Sequence, residues 1–195
     1  MKKRILVMLF AAGTFAFQSC GPGNTNNADD SVEHAIEQNE NRLDNQQGNT
    51  GDKEDDAEFA VKAADSGLAE VNASKVAQEK AQHQRVKDFA AMMIEDHTKA
   101  NEELKALASS KNITLPTAPG EPHVKNVADL NSYTGADFDK EYMDLMVDDH
   151  QKAVNLFEDA AEDVEDPDLR AFAAKTLPSL QKHLEHAKTL RDALK

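Results

Sequence analysis

Cysteine occurs once among the 195 residues, at Cys20, so no internal disulfide can brace this chain in any compartment. Basic side chains are scarce as well: 22 Lys and Arg stand against 36 Asp and Glu. A field of that sign repels nucleic acid and anionic lipid surfaces, so no nucleic-acid partner is expected. From Glu58 onward no window of four or more residues alternates apolar with polar as a strand would, and β-branched residues are few. Phe59 to Ser110 contains no proline and a single glycine, Gly67. The chain also lacks a Gly-x-Ser-x-Gly elbow, a phosphate-binding loop, a dinucleotide fingerprint and any nucleophile paired with a base. Hydrolytic and nucleotide-dependent chemistry is therefore disfavoured, and no catalytic residue is assigned. An all-α chain remains.

One long apolar run is present, Ile5 to Phe17, directly after Lys2, Lys3 and Arg4. It has the basic and apolar regions of a secretory signal and is too short to span a bilayer. The run ends in Phe17-Gln18-Ser19-Cys20, which resembles the lipobox of bacterial lipoproteins. That resemblance implies cleavage before Cys20, lipidation of its thiol and a membrane anchor. Gly21, in place of the Asp that resembles an inner-membrane retention signal, points to the outer membrane. Without residues 1–19 the chain keeps 19 Lys and Arg against 36 acids, about −17, so the lipid and not a basic patch must supply the membrane link. From Gly21 to about Asp56 the composition turns to Asn, Asp, Gln, Gly and Thr, too polar to offset the entropy of ordering. The expected division is a signal over 1–19, a lipid-anchored flexible tether over 20–56 and a helical domain over 57–195. Within the tether, Val32, Ile36 and Leu43 could mark one weak helix, against which Asn39, Asn41 and Asn45 argue.

An unbroken helix from Phe59 to Ser110 would be roughly 80 Å long at 1.5 Å per residue, so a turn is required, and the polar cluster Ala81 to Gln84 supplies it. Helices are predicted at about 56–81 and 84–110. Lys111 to Tyr133 holds Pro116, Pro119, Gly120 and Pro122 and shows little periodicity, which predicts a long connection. A third helix starts near Thr134 to Asp137 and runs to about Asp163. Asp166-Pro167 then gives an N-cap followed by a first-turn proline, opening a fourth helix that runs to about Leu194. Two antiparallel hairpins joined by a long crossover make an up-down-down-up four-helix bundle, the ferritin-like arrangement.

Within that bundle one phrase occurs twice: Met93-Ile94-Glu95-Asp96-His97-Thr98-Lys99-Ala100 and Met146-Val147-Asp148-Asp149-His150-Gln151-Lys152-Ala153. His97 falls on the stripe of Val86, Phe89, Ala90, Met93, Ala100 and Leu104; His150 falls on that of Met143, Met146, Val147, Val154 and Phe157. Both imidazoles are therefore expected to face the core at similar height. Counting from the far ends brings Glu70 of the first helix and His183 of the fourth to the same level. Three imidazoles and one carboxylate form a donor set for a single Cu, Zn or Fe ion. Met93 and Met146 could add thioether ligands, His186 a further nitrogen, and Asp96 and Asp149 an outer shell of acceptors.

Three stretches carry a family resemblance: Phe89-Ala90-x-x-Met93-x-x-Asp96-His97, then Phe138-Asp139-x-x-Tyr142-Met143-x-x-Met146-Val147-x-Asp149-His150, then Thr176-Leu177-Pro178-x-Leu180-x-x-His183-Leu184. Over about Glu58 to Leu190 the chain resembles the bacterial "predicted outer membrane protein" family, a ferritin-like domain of unknown function, DUF4142. The resemblance implies the bundle and an envelope location, and no established reaction.

Residues Ile94, Val147 and Leu180 stand three before His97, His150 and His183, where a di-iron carboxylate bundle would carry Glu-x-x-His. The bridging carboxylates are absent, which argues against a di-iron oxygen-activating centre. Two readings stay open. The chain is an exported lipoprotein that binds one metal ion in a protective or storage role, or its His/Glu cluster is a closed, metal-free hydrogen-bonded network that only stabilises the bundle. Enzymatic activity is not the expected outcome.

Overall fold

A computed structural model of the chain describes residues 29–45 and 51–194. They form six helices: α1 (Asp29–Asp44), α2 (Gly51–Lys80), α3 (Gln84–Ser110), α4 (Glu121–Asn131), α5 (Gly135–Asp163) and α6 (Pro167–Ala193). No strand occurs among the described residues. The secretory run and Cys20 lie outside them.

Buried carboxylates at the two ends of the molecule fix how the long helices run. At one end Asp139, in the first turns of α5, accepts from Gln82 N at 2.9 Å and His83 N at 2.7 Å, closing the α2–α3 turn. At the other end Asp56, near the start of α2, accepts from Glu165 N at 3.0 Å and Asp166 N at 3.1 Å in the α5–α6 turn. Lys111, just past α3, reaches Asp166 at 2.7 Å and Asp168 at 2.8 Å at that same end. Helices α3 and α5 therefore run parallel, α2 and α6 run against them, and residues 111–134 return along the bundle. This is the up-down-down-up, ferritin-like arrangement.

The starts of the helices follow from local chemistry. Asp166 caps α6 by accepting from Asp168 N and Leu169 N, both at 3.0 Å, with Pro167 following it. Gly135 opens α5 at φ +62°, a left-handed conformation that a side chain would strain. On the inside, α2 presents a stripe of small residues, Ala60, Ala63, Ala64, Ala73 and Ala77, so its neighbours can approach closely. Larger rings fill both ends of the interior. Phe59 meets Phe157 edge-on at 5.3 Å toward the Asp56 end, while Tyr142 packs with Phe89 and Phe138 at 6.3 and 6.5 Å toward the Asp139 end. Tyr142 keeps its hydroxyl paired, 2.8 Å from Ser74 Oγ. Between these aromatic layers lies the polar layer that carries the site.

Four expectations are corrected. Residues 29–44, expected to be flexible, form α1, which packs on α2 with Ala35 and Leu43 buried. Asn39, read as a helix breaker, is a clamp: its side chain donates to Thr114 O at 2.9 Å and accepts from Thr114 N at 2.8 Å, tying α1 to the crossover. The helix before the first turn starts at Gly51, about one turn earlier than the sequence indicates. The crossover, in turn, contains α4, which follows Gly120 with Pro122 in its first turn. Proline there costs no hydrogen bond, so it starts a helix where the sequence reading saw only interruption.

Candidate metal centre

Four helices each send one ionisable side chain into the middle of the bundle: Glu70 from α2, His97 from α3, His150 from α5 and His183 from α6. All four are buried, with Glu70 and His150 at most 1 % exposed. The ring centroids of the three histidines are 5.4, 5.5 and 5.6 Å apart, and one donor atom from each lies within 4.8 Å of the other two. Each His occupies an apolar helical stripe, so the packing that buries its neighbours turns the imidazole inward.

Every imidazole has one nitrogen engaged and the other bare. His97 Nδ1 pairs with Glu70 Oε2 at 2.8 Å. His150 Nδ1 donates to the Met146 carbonyl at 3.0 Å and stands 3.2 Å from Glu70 Oε1. His183 Nε2 donates to Asp96 Oδ2 at 3.0 Å. The opposite nitrogens, His97 Nε2, His150 Nε2 and His183 Nδ1, are buried without a hydrogen-bond partner. In a neutral imidazole whose engaged nitrogen carries the proton, the bare one presents its lone pair. Ligating histidines have the same bond pattern, one nitrogen on the metal and the other held by a carboxylate or carbonyl.

Charge is distributed unevenly over the cluster. Burial alone would raise the Glu70 carboxyl, but the positive charge of its neighbours His150 and His97, and the bond to His97, hold it down at about 2. Burial likewise disfavours charge on His97, yet the Glu70 carboxylate offsets this and raises His97 above its ordinary value. Burial lowers His150 despite Glu70. Burial and repulsion from His97 and His150 lower His183 to about 4. The layer thus favours one charged pair, Glu70 with His97, and two neutral imidazoles.

The other singled-out residues divide. Asp96 joins the cluster as the acceptor for His183. Asp149, its counterpart in the repeated phrase, is buried but pairs with Lys152 Nζ at 3.3 Å. Burial, then the nearby Glu70, raises its carboxyl. Met93 and Met146 are fully buried in the core; Met146 serves the cluster through its backbone carbonyl. His186 is exposed and stands edge-on to Phe89 at 5.2 Å, outside the group of three. Glu70 lies with the cluster, but its carboxylate faces the Nδ1 atoms of His97 and His150, opposite their bare nitrogens. Cys20 is outside the described residues.

A feature the sequence reading did not single out is a cavity of ≈ 300 Å³ beside the cluster, lined by His97, His183 and Glu70 and opening between α2, α3 and α6. Gly67 is part of its wall: a Cβ there would stand 2.1 Å from Asn101 Oδ1, so only glycine lets the Asn101 amide rest on α2. The signal was available as the one glycine in a long helical run.

Residues 41–190 match the family described as Domain of unknown function (DUF4142). The chain belongs to that family. The matched stretch of this DUF4142 chain begins in the last turn of α1 and includes all four cluster residues. Among solved structures, a protein described as secreted, DUF305, from Streptomyces coelicolor is similar, with a TM-score of 0.61 and 14% identity over 72% of this chain and 93% of that one. At that identity the likeness concerns the fold alone. No curated protein matches the DUF4142 chain. No helix among its described residues is long and apolar enough to cross a membrane.

Proposed function

We propose that the chain is an exported lipoprotein, anchored through Cys20 in the outer membrane, whose bundle binds one Cu, Zn or Fe ion through His97, His150 and His183 in a protective or storage role. Glu70, the Met146 carbonyl and Asp96 act in this reading as the outer shell that fixes each ring. The observation that carries it is the convergence of three buried imidazoles, one donor atom of each within 4.8 Å of the other two, in a cluster where each ring also keeps one nitrogen buried without a partner. A buried polar atom left without a partner costs about 1–3 kcal/mol, so a metal-free network would leave three such costs standing in one cluster. An ion satisfies all three together. Donors about 2.1 Å from a shared tetrahedral ion are roughly 3.4 Å apart, so closing the widest pair takes ring shifts of under about 1 Å each.

The test is metal analysis of protein purified without an affinity tag, followed by titration of the stripped protein with Cu, Zn and Fe. One tightly held ion per chain supports the reading, whereas no ion and no titratable binding reject it and leave the metal-free structural role.

Two further outcomes follow from the outer shell. Glu70→Gln should weaken metal binding by roughly 10–100-fold while leaving the three donors in place, the usual penalty for an orienting acceptor. Binding to wild type should also depend on pH through His97. Its raised pKa means that a proton must leave before the metal enters, so affinity should fall about tenfold per unit as pH drops below that raised value. The depressed pKa values of His150 and His183 delay their contribution to more acidic solution. Calorimetry in buffers of different ionisation enthalpy reads the released proton directly, and Glu70→Gln should shift the fall toward lower pH. A wild-type affinity flat from pH 8 to 6 would contradict the account.

A further inference from the structure

We propose that the bound ion keeps one open coordination position facing the cavity between α2, α3 and α6, and that a small monoanion from solvent occupies it. The inference rests on the metal reading above and adds a ligand class to it.

Three nitrogens do not complete a four-coordinate ion, and among the described residues no other His, Cys, Asp or Glu joins the group. Glu70 does not fill the gap: its Oε2 is held by His97 Nδ1 at 2.8 Å, its Oε1 stands 3.2 Å from His150 Nδ1, and neither joins the group of three. The cluster is closed on one side and open on the other. His150 is fully buried and absent from the cavity wall, whereas His97 and His183 both line the cavity. Its volume of ≈ 300 Å³ is about tenfold the share of one liquid water, ample for a small ligand. The inner wall is apolar, with Leu104, Phe157, Phe172 and Leu180; polar residues such as Ser66, Asn101 and Ser179 also line the cavity.

Charge selects the class of ligand. A divalent ion on three neutral imidazoles keeps its two positive charges, and the Glu70 carboxylate, buried 2.8 Å from His97 Nδ1 and 3.2 Å from His150 Nδ1, offsets one. Asp96 is 43 % exposed, so water screens it, and Lys175 on the wall is already matched by Glu103 at 2.7 Å. One positive charge remains against an apolar wall, which a monoanion neutralises. The exchange is a simple substitution: the metal–water bond breaks, a lone pair of the anion forms the new bond, the water leaves to solvent, and no electrons are transferred.

The experiment uses the full exported chain loaded with Cu(II) and titrated with azide, read by the azide-to-copper charge-transfer absorption and by electron paramagnetic resonance. A saturable band at one azide per copper, with copper retained, is the expected result. Ala100→Leu, which enlarges a half-buried side chain on the cavity wall, should weaken azide binding at least tenfold at unchanged copper stoichiometry. Ser179→Leu, at an exposed wall position on α6, is the second variant should the first fold poorly. Stoichiometric copper with no azide band overturns the open position while the metal reading stands. Azide binding unaffected by either properly folded variant overturns this cavity as the route. Failure to bind copper overturns this ligand assignment, and failure to bind zinc and iron as well overturns the metal reading.

Discussion

Replacing His150 with alanine is expected to abolish tight metal binding, a loss larger than the roughly 10–100-fold anticipated for removing an outer-shell acceptor. His150 is the cluster member furthest from solvent, so neither water nor a rearranged surface residue is placed to substitute for its Nε2. The same variant separates the two roles the cluster can play. If the imidazoles serve a metal, the apo protein already bears the cost of bare nitrogens, and His150→Ala removes one of them. Stability without metal should then change little beyond the cavity left by the ring. What should vanish is the stabilisation by metal, about 4 kcal/mol for wild type when free metal is a thousand times the Kd. If the cluster is a closed network instead, wild type shows no metal-dependent shift in Tm and His150→Ala lowers Tm on its own. Thermal unfolding of both proteins with and without Zn reads all four quantities in one experiment.

How much of this was legible in the sequence depends on which forces decide each element. The starts of α3, α5 and α6 could be read because turn chemistry and Asp166-Pro167 mark them locally. The level of His97, His150, Glu70 and His183 could be read because a helix has a fixed rise per residue, so counting from matched ends gives height. The roles within the cluster could not be read. Asp96 and Asp149 occupy the same place in the repeated phrase, yet Asp96 accepts from His183 of α6 while Asp149 pairs with Lys152 of its own helix. Pseudo-symmetry of two helices does not extend to the helices packed against them. Which oxygen of Glu70 meets which nitrogen is likewise a matter of rotamers and not of spacing. The segments misread are α1, a polar helix that depends on contacts distant in sequence such as Asn39 with Thr114, and α4, only 11 residues long behind Gly120 with Pro122 in its first turn.

That dependence makes α1 the subject of the second large effect. A chain starting at residue 46 is expected to be less stable than one starting at residue 21, both lacking Cys20 so that no lipid enters the comparison. The truncation removes Leu43, 1 % exposed, and Ala35, fully buried, along with the Asn39 and Ser31 bonds to Thr114, Thr117 and Ala118 in the crossover. Burial of a leucine contributes about 1.5–3 kcal/mol and each hydrogen bond about 0.5–1.5 kcal/mol. The loss of the buried Leu43 side chain sets the scale of the effect, roughly 2–4 kcal/mol, as for large-to-small core substitutions. For a domain of this size that is a fall in Tm of roughly 5–15 °C. Leu43→Ala should reproduce much of it, and Asn39→Ala should cost about 1–3 kcal/mol by leaving the Thr114 amide and carbonyl unmatched. Metal stoichiometry should be unchanged in all of them. The groove between α1 and α2 is lined by Val61 and Asp65, whereas Gly67 and Glu70 of the same helix face the cavity and the cluster. A truncated chain that melts within about 2 °C of the longer one would show that α1 rests on the bundle without supporting it. A truncated chain that loses its metal would show instead that α1 holds α2, and with it Glu70, in register.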